Sequence, residues 1–298
     1  METIKTFAEP ADMNPFSYVM EKHQRNNAAN GKIMNYLYQT YLYPNDFGTF
    51  VYASQLLQAD AIRYGVEHFR RNRGVCMGAI YWQLNDCWPV ISWASIDYTG
   101  RWKALHYYAK RFFRPLALSC AEEGMLTQNP DVNAEPYELK KGMQLCVENE
   151  TMSARTVTVN WSLRKADGAV IRSGSEEVTA EKLSSAWLDY VDFADADTFA
   201  DYIWYEMVED GVVTSCGSAL FCAPKHFKFV DPALSVRVEG DEIVIEANAF
   251  ARAVEILNAD DTMLLSDNYF DMNPGQVRVR ILKGEPTGLR VRSVYDIK

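Results

Sequence analysis

Near Pro115 the spacing of apolar residues changes from steps of three and four to steps of two, so the two parts of the chain must fold differently. Before it, Thr49–Arg71 carries Phe50, Leu57, Ala61, Tyr64, Val66 and Phe69 mostly at helical spacing. The stretch ends in Arg70, Arg71 and Arg73, with Gly74 just beyond, which predicts an amphipathic helix with its usual C-terminal punctuation. The run Val75-Cys76-Met77-Gly78-Ala79-Ile80-Tyr81-Trp82 is continuously apolar and reads as a strand buried on both faces of a parallel sheet. A polar, Trp-rich loop follows over 83–100, then a second helix over 101–113 that Pro115 closes. Helix, buried strand, loop and helix is the order of α/β units.

After Pro115, Val157, Val159, Trp161 and Leu163 alternate with Thr158, Asn160, Ser162 and Arg164, as in a half-buried strand. Lys165-Ala166-Asp167-Gly168 supplies a turn, and Asp210-Gly211 supplies another after the run that begins at Tyr202. Several such strands before Pro224 predict an immunoglobulin-like sandwich. Pro224-Lys225-His226-Phe227 reads as a linker. Beyond it, 234–238, 242–246, 276–281 and 289–294 alternate again, with basic residues of the last two on outward, solvated positions. The expected fold class is multidomain, α/β followed by all-β, divided into 1–115, 116–225 and 226–298.

Composition mainly excludes. A formal net charge of −10 over 298 residues disfavours nucleic acid as a partner, which requires clustered Lys and Arg. No run of about 18 apolar residues exists, so no membrane partner is expected, and Met1–Phe7 has no leader pattern. The six cysteines form no CxxC and lack a His cluster, so neither a metal nor a cofactor is expected. Cys76 and Cys146 lie in apolar runs, and most thiols are read as buried and reduced, with one bridge left open. His23, His68 and His106 fall in helical stretches as surface or packing residues. Asn149 and Asn160 match the glycosylation acceptor pattern, which is frequent by chance.

The chemistry concentrates in Tyr81-Trp82-Gln83-Leu84-Asn85-Asp86-Cys87-Trp88-Pro89, continuing through Ser92–Tyr98 to Arg101–Tyr108. Trp82, Asn85 and Asp86 fall at the C-terminal end of the expected strand, the face on which barrels build their sites. An indole face for stacking, with amide and carboxylate groups for hydroxyls, is what sugar recognition needs. Trp82, Asn85 and Asp86 are therefore the candidate substrate-binding residues. Trp88, Trp93 and Trp102 are read as packing the loop onto its helix. Asp86 and Asp97 bracket that loop and form the one formal carboxylate pair, although Asp97-Tyr98-Thr99-Gly100 reads better as a turn.

This stretch closely resembles the last strand, loop and last helix of the barrel in β-mannosidases of glycoside hydrolase family 2. Phe16–Asn27 resembles the region those enzymes carry before the eighth strand, and Leu265–Gly275 resembles a turn segment of their final domain. The middle domain is similar only in kind. The resemblance implies the last two β/α units of a (β/α)8 TIM barrel followed by two immunoglobulin-like β-sandwich domains. It also implies a retaining mechanism with two glutamates, acting on terminal β-mannosides of an oligosaccharide or glycan substrate. The family's Glu-Phe-Gly nucleophile motif and its Asn-Glu acid/base motif do not occur here, so no catalytic residue is expected in this chain, which is read as starting just downstream of the nucleophile. Trp82 matches the Trp that walls the mannose subsite.

Other readings compete. The sandwiches read as a glycan-binding or oligomerisation module, with Trp187 and Trp204 as the aromatics to test, or the chain resembles another family 2 glycosidase. An apolar strand at an open sheet edge also predicts a homo-oligomer or a mobile first hundred residues.

Overall fold

The computed structural model describes residues 1–298. Cα packing divides them into two compact units, one of 1–62, 80–109 and 231–298, the other of 63–79 and 110–230. Four α-helices come first: α1 Tyr18–Lys22, α2 Ala29–Thr40, α3 Phe47–Arg71 and α4 Ala104–Phe112. α3 matches the expected helix, with His68, Arg70 and Arg71 in its last turn, where cations favour the carbonyl end of the dipole. α4 begins later than the sequence predicts because Trp102 is drawn into an antiparallel bridge with Ile96. No helix is long and apolar enough to cross a membrane.

The expected strand over 75–82 does not form. Val75 lies in a turn, 76–81 have no regular structure and Trp82 lies in a bend, and Val75 is 93% exposed and Ile80 fully so. A strand of a parallel sheet is buried by strands on both edges and helices on both faces. Here no strand lies beside it. Cys76 shares that fate and is only half-buried, while Cys87 and Cys216 are exposed; Cys120, Cys146 and Cys222 are buried, and all six are free thiols.

The middle region forms a two-sheet sandwich from β1 Leu116–Glu123, β2 Gly142–Asn149, β3 Arg155–Lys165, β4 Val170–Ala180, β5 Ser184–Trp187, β6 Val191–Asp192, β7 Asp201–Glu209 and β8 Val212–Leu220. One sheet runs β1-β2-β5 with β6 also on β2, the other β4-β3-β7-β8. Val157, Val159 and Leu163 point inward as the period of two requires, meeting Leu118, Leu145 and Val147 of the facing sheet. The β7–β8 turn places Asp210 and Gly211 both at positive φ, 51° and 78°, the geometry that matches a hairpin to strand twist.

The last region is a seven-stranded sandwich. Its strands are β9 Ser235–Glu239, β10 Glu242–Ala247, β11 Ala251–Leu257, β12 Leu264–Leu265, β13 Phe270–Met272, β14 Gly275–Lys283 and β15 Arg290–Arg292. The sheets run β12-β14-β10-β9 and β13-β11-β15. The expectation of solvated basic faces holds for Arg278, which pairs with Glu239 and Glu242, but not for Arg292. Arg292 is drawn inward by Glu255, which is only 3% exposed and also accepts from the Tyr269 hydroxyl at 2.7 Å. A charge in the apolar run of β11 must be paired to be buried.

Candidate functional site

The loop after position 82 is folded back on itself by backbone bonds. The Ser95 N–H donates to the Gln83 carbonyl at 3.0 Å, that of Ile96 to Leu84 at 2.8 Å and that of Asp86 to Ile96 at 3.2 Å. The far side of the loop is held by stacking. His23 lies flat on Phe7 with centroids 3.9 Å apart and faces Trp88 at 5.2 Å, and the Arg25 guanidinium lies over that indole at 4.4 Å. Trp102 packs on His106 and edge-on to Tyr107. Trp88 and Trp102 thus pack the loop, whereas Trp93, expected to do the same, is 37% exposed.

Trp82 stands out from this framework with 73% of its surface exposed, and its peptide bond to Gln83 is cis. Asn85 is exposed as well. Asp86 is not: it is 6% exposed, accepts from the Ser92 hydroxyl at 2.6 Å and faces the Lys103 ammonium at 3.5 Å. The structure therefore brings Trp82 and Asn85 to the surface and turns the Asp86 carboxylate inward, where its charge is matched by Lys103. Burial draws the Lys103 ammonium down, and the neighbouring Asp86 and Asp97 carboxylates oppose this.

Asp97 is committed to its own turn. Burial alone would raise its carboxyl, but hydrogen bonds from Thr3, Thr99 and the N–H groups of Arg101 and Thr99 outweigh it and hold the group below its usual range. Its Oδ1 accepts from the Thr99 and Arg101 N–H groups, each at 2.9 Å, making the turn the sequence indicates. An ionised Asp97 does not supply the protonated acid that a retaining pair requires.

A cavity of about 590 Å³ opens in the unit that contains this loop. Phe47, Phe50, Gln58, Trp93, Trp102 and Lys103 are among its walls, but Trp82, Asn85 and Asp86 are not. No residue pattern marks Ser95, which is fully buried and central to the loop, or the pairing of Glu148 with Arg70 at 3.2 Å in the other unit. A charged residue such as Glu148 directly after the apolar run Leu145–Val147 is the one mark that a paired burial lies there.

Comparison with known proteins adds to this geometry. Residues 141–226 match the Mannosidase Ig/CBM-like domain family, and residues 229–297 match an Ig-fold domain family of mannosidases. A β-mannosidase B from Aspergillus oryzae is 28% identical over 97% of this chain and 35% of its own length. A second, from Aspergillus flavus, is 35% identical over 55% of this chain and 20% of its own. The chain thus spans about a third of the length of the relatives that it matches throughout. Among solved structures, a β-D-mannosidase from Dictyoglomus thermophilum superimposes with a TM-score of 0.81 at 22% identity, over 98% of this chain and 35% of that one. An exo-chitosanase from Amycolatopsis orientalis gives 0.73 at 16% identity, over 98% and 41%. These last two likenesses speak to fold.

Proposed function

We propose, from the premise that this chain belongs with the C-terminal part of the β-mannosidases, that it forms one wall of a pocket for a terminal, non-reducing β-D-mannose residue. In this reading residues 1–115 are the last two β/α units of a TIM barrel, 116–225 and 226–298 are the two immunoglobulin-like domains, and both catalytic glutamates of the retaining reaction lie outside the chain. The observation that carries it is the exposed indole of Trp82, held on a loop whose backbone is bonded back on itself. An exposed indole is suited to the apolar face of a pyranose. Asn85 supplies an amide beside it, and Asp86 shapes the loop from within through Ser92 and Lys103.

Two measurements test this. High concentrations of mannose should perturb indole emission in the wild type and not in Trp82→Phe; an identical response in both would remove Trp82 from the pocket. The purified chain should release no aryl alcohol from an aryl β-mannoside, because neither carboxylate of the reaction is supplied. Turnover that survives rigorous purification would place the chemistry inside this chain.

The reading as a glycan-binding module finds one point of support in Trp187, 43% exposed on β5. Trp204 is 9% exposed and serves the core, so only Trp187→Ala is an informative variant there. Loss of migration shift on mannan gels in that variant alone would favour the module.

A further inference from the structure

We infer that Ser95 is the positioning residue that holds Trp82 in its outward pose. The inference rests on the reading of Trp82 as a sugar wall and adds what keeps that wall in place.

Ser95 has no exposed surface, and every polar group it owns is engaged. Its N–H donates to the Gln83 carbonyl at 3.0 Å, and its own carbonyl accepts from the Lys103 N–H at 2.9 Å. Its hydroxyl donates to the Leu84 carbonyl at 2.9 Å. A serine hydroxyl has one hydrogen and two acceptor sites. With the hydrogen committed to Leu84, the contacts to the Tyr81 hydroxyl at 2.9 Å and to His106 Nδ1 at 3.2 Å must both be accepted by Ser95. Tyr81 therefore donates its O–H, and His106 is fixed as the tautomer that carries hydrogen on Nδ1.

The consequence is geometric. Ser95 reaches Tyr81 on one side of Trp82, and Gln83 and Leu84 on the other. Both neighbours of the exposed indole are thus tied to a single buried residue, while the indole itself has most of its surface in solvent. A side chain so exposed gains little from packing, so the backbone that carries it must supply its orientation. α4 anchors the clamp in turn, through His106 and through the Lys103 N–H just before its first turn. Substituting Ser95 by alanine frees three hydrogen-bonding groups at once, on both sides of Trp82.

The test is 19F NMR of the full chain labelled with 5-fluorotryptophan. Seven tryptophans give seven resonances, and Trp82→Phe identifies the line of Trp82. In Ser95→Ala that line should shift and narrow as the indole gains local motion, while the lines of Trp161, Trp187 and Trp204 stay in place. Tyr81→Phe, which removes only one of the three hydroxyl contacts, should move the same line by less and keeps the test decisive if Ser95→Ala does not fold. An unmoved Trp82 line in the folded variants overturns the proposal, as does an equal movement of all seven lines, which would make Ser95 a residue of general stability. The sugar-wall reading is judged separately by the mannose titration, so the two can fail independently.

Discussion

Strand β7 and the stretch 75–82 both carry near-continuous apolar sequence, Tyr202-Ile203-Trp204-Tyr205 in one and Ala79-Ile80-Tyr81-Trp82 in the other. In β7, Tyr202, Ile203, Trp204, Tyr205 and Met207 are all buried, because β3 and β8 take up its backbone groups on either edge and the facing sheet covers one side. In the other stretch Val75, Met77, Ile80 and Trp82 are all exposed. The difference is one of neighbours. A run of apolar side chains states that burial is favourable, but only adjacent strands can satisfy the N–H and C=O groups that must be buried along with it.

The sharpest way to break this comparison is a pair of matched truncations. Ile203→Ala, at a fully buried site, should cost about 2–5 kcal/mol in urea unfolding, while Ile80→Ala should change stability by less than about 0.5 kcal/mol. Equal costs would mean that the stretch 75–82 is buried in solution.

A second effect belongs to the sandwich side alone. Burial pushes the Glu148 carboxyl up to about 7 from its ordinary 4.5, against the pull of Arg70 and the hydrogen bond from Ser119. The folded protein then holds this proton more tightly than the unfolded chain does. Its stabilising contribution is present below about pH 4.5 and is lost as pH rises through about 7. The melting temperature of the wild type should accordingly fall between pH 5 and pH 7.5 relative to that of Glu148→Gln, a contrast confined to the window set by that shift. Parallel profiles for the two proteins would show that Glu148 is ionised throughout.

The turn that enters β8 gives a smaller effect. Gly211 has φ of 78°, a region where a Cβ is strained, so Gly211→Ala should cost about 1 kcal/mol by chemical denaturation. A neutral substitution would mean that the hairpin relaxes to another turn without loss. The smallest change in stability, but a visible one in association, is expected from Ile80→Lys. Sedimentation of the wild type should show mass rising with concentration, and the lysine should suppress it by charging an exposed apolar segment. A wild type that remains monomeric at high concentration would argue that the stretch does not mediate self-association.

How much was legible differs along the chain. The helix ending at Arg71 and the inward set Val157, Val159 and Leu163 follow from local periodicity, since each element supplies its own pattern and finds its partner in this chain. The loop after Trp82 was recognisable as a place for chemistry from its residue types alone, but the separate fates of Asn85 and Asp86 were not. Adjacent residues of one polar loop carry no periodicity, and which of them turns inward depends on how the loop folds back to bring Ser92 and Lys103 onto Asp86. Arg292 illustrates the same gap, since an alternating strand predicts which face it takes but not that Glu255 waits on it.

Spacing and residue chemistry within a few positions set where the chain changes from helical to β architecture, where its hairpins turn, and which indole stands at the end of the apolar run. Folding sets which apolar run is buried, which carboxylate is spent inside the protein and which serine grips the loop. The first depends on the strands that come to lie beside the run, and the other two on how one loop folds back on itself and onto α4.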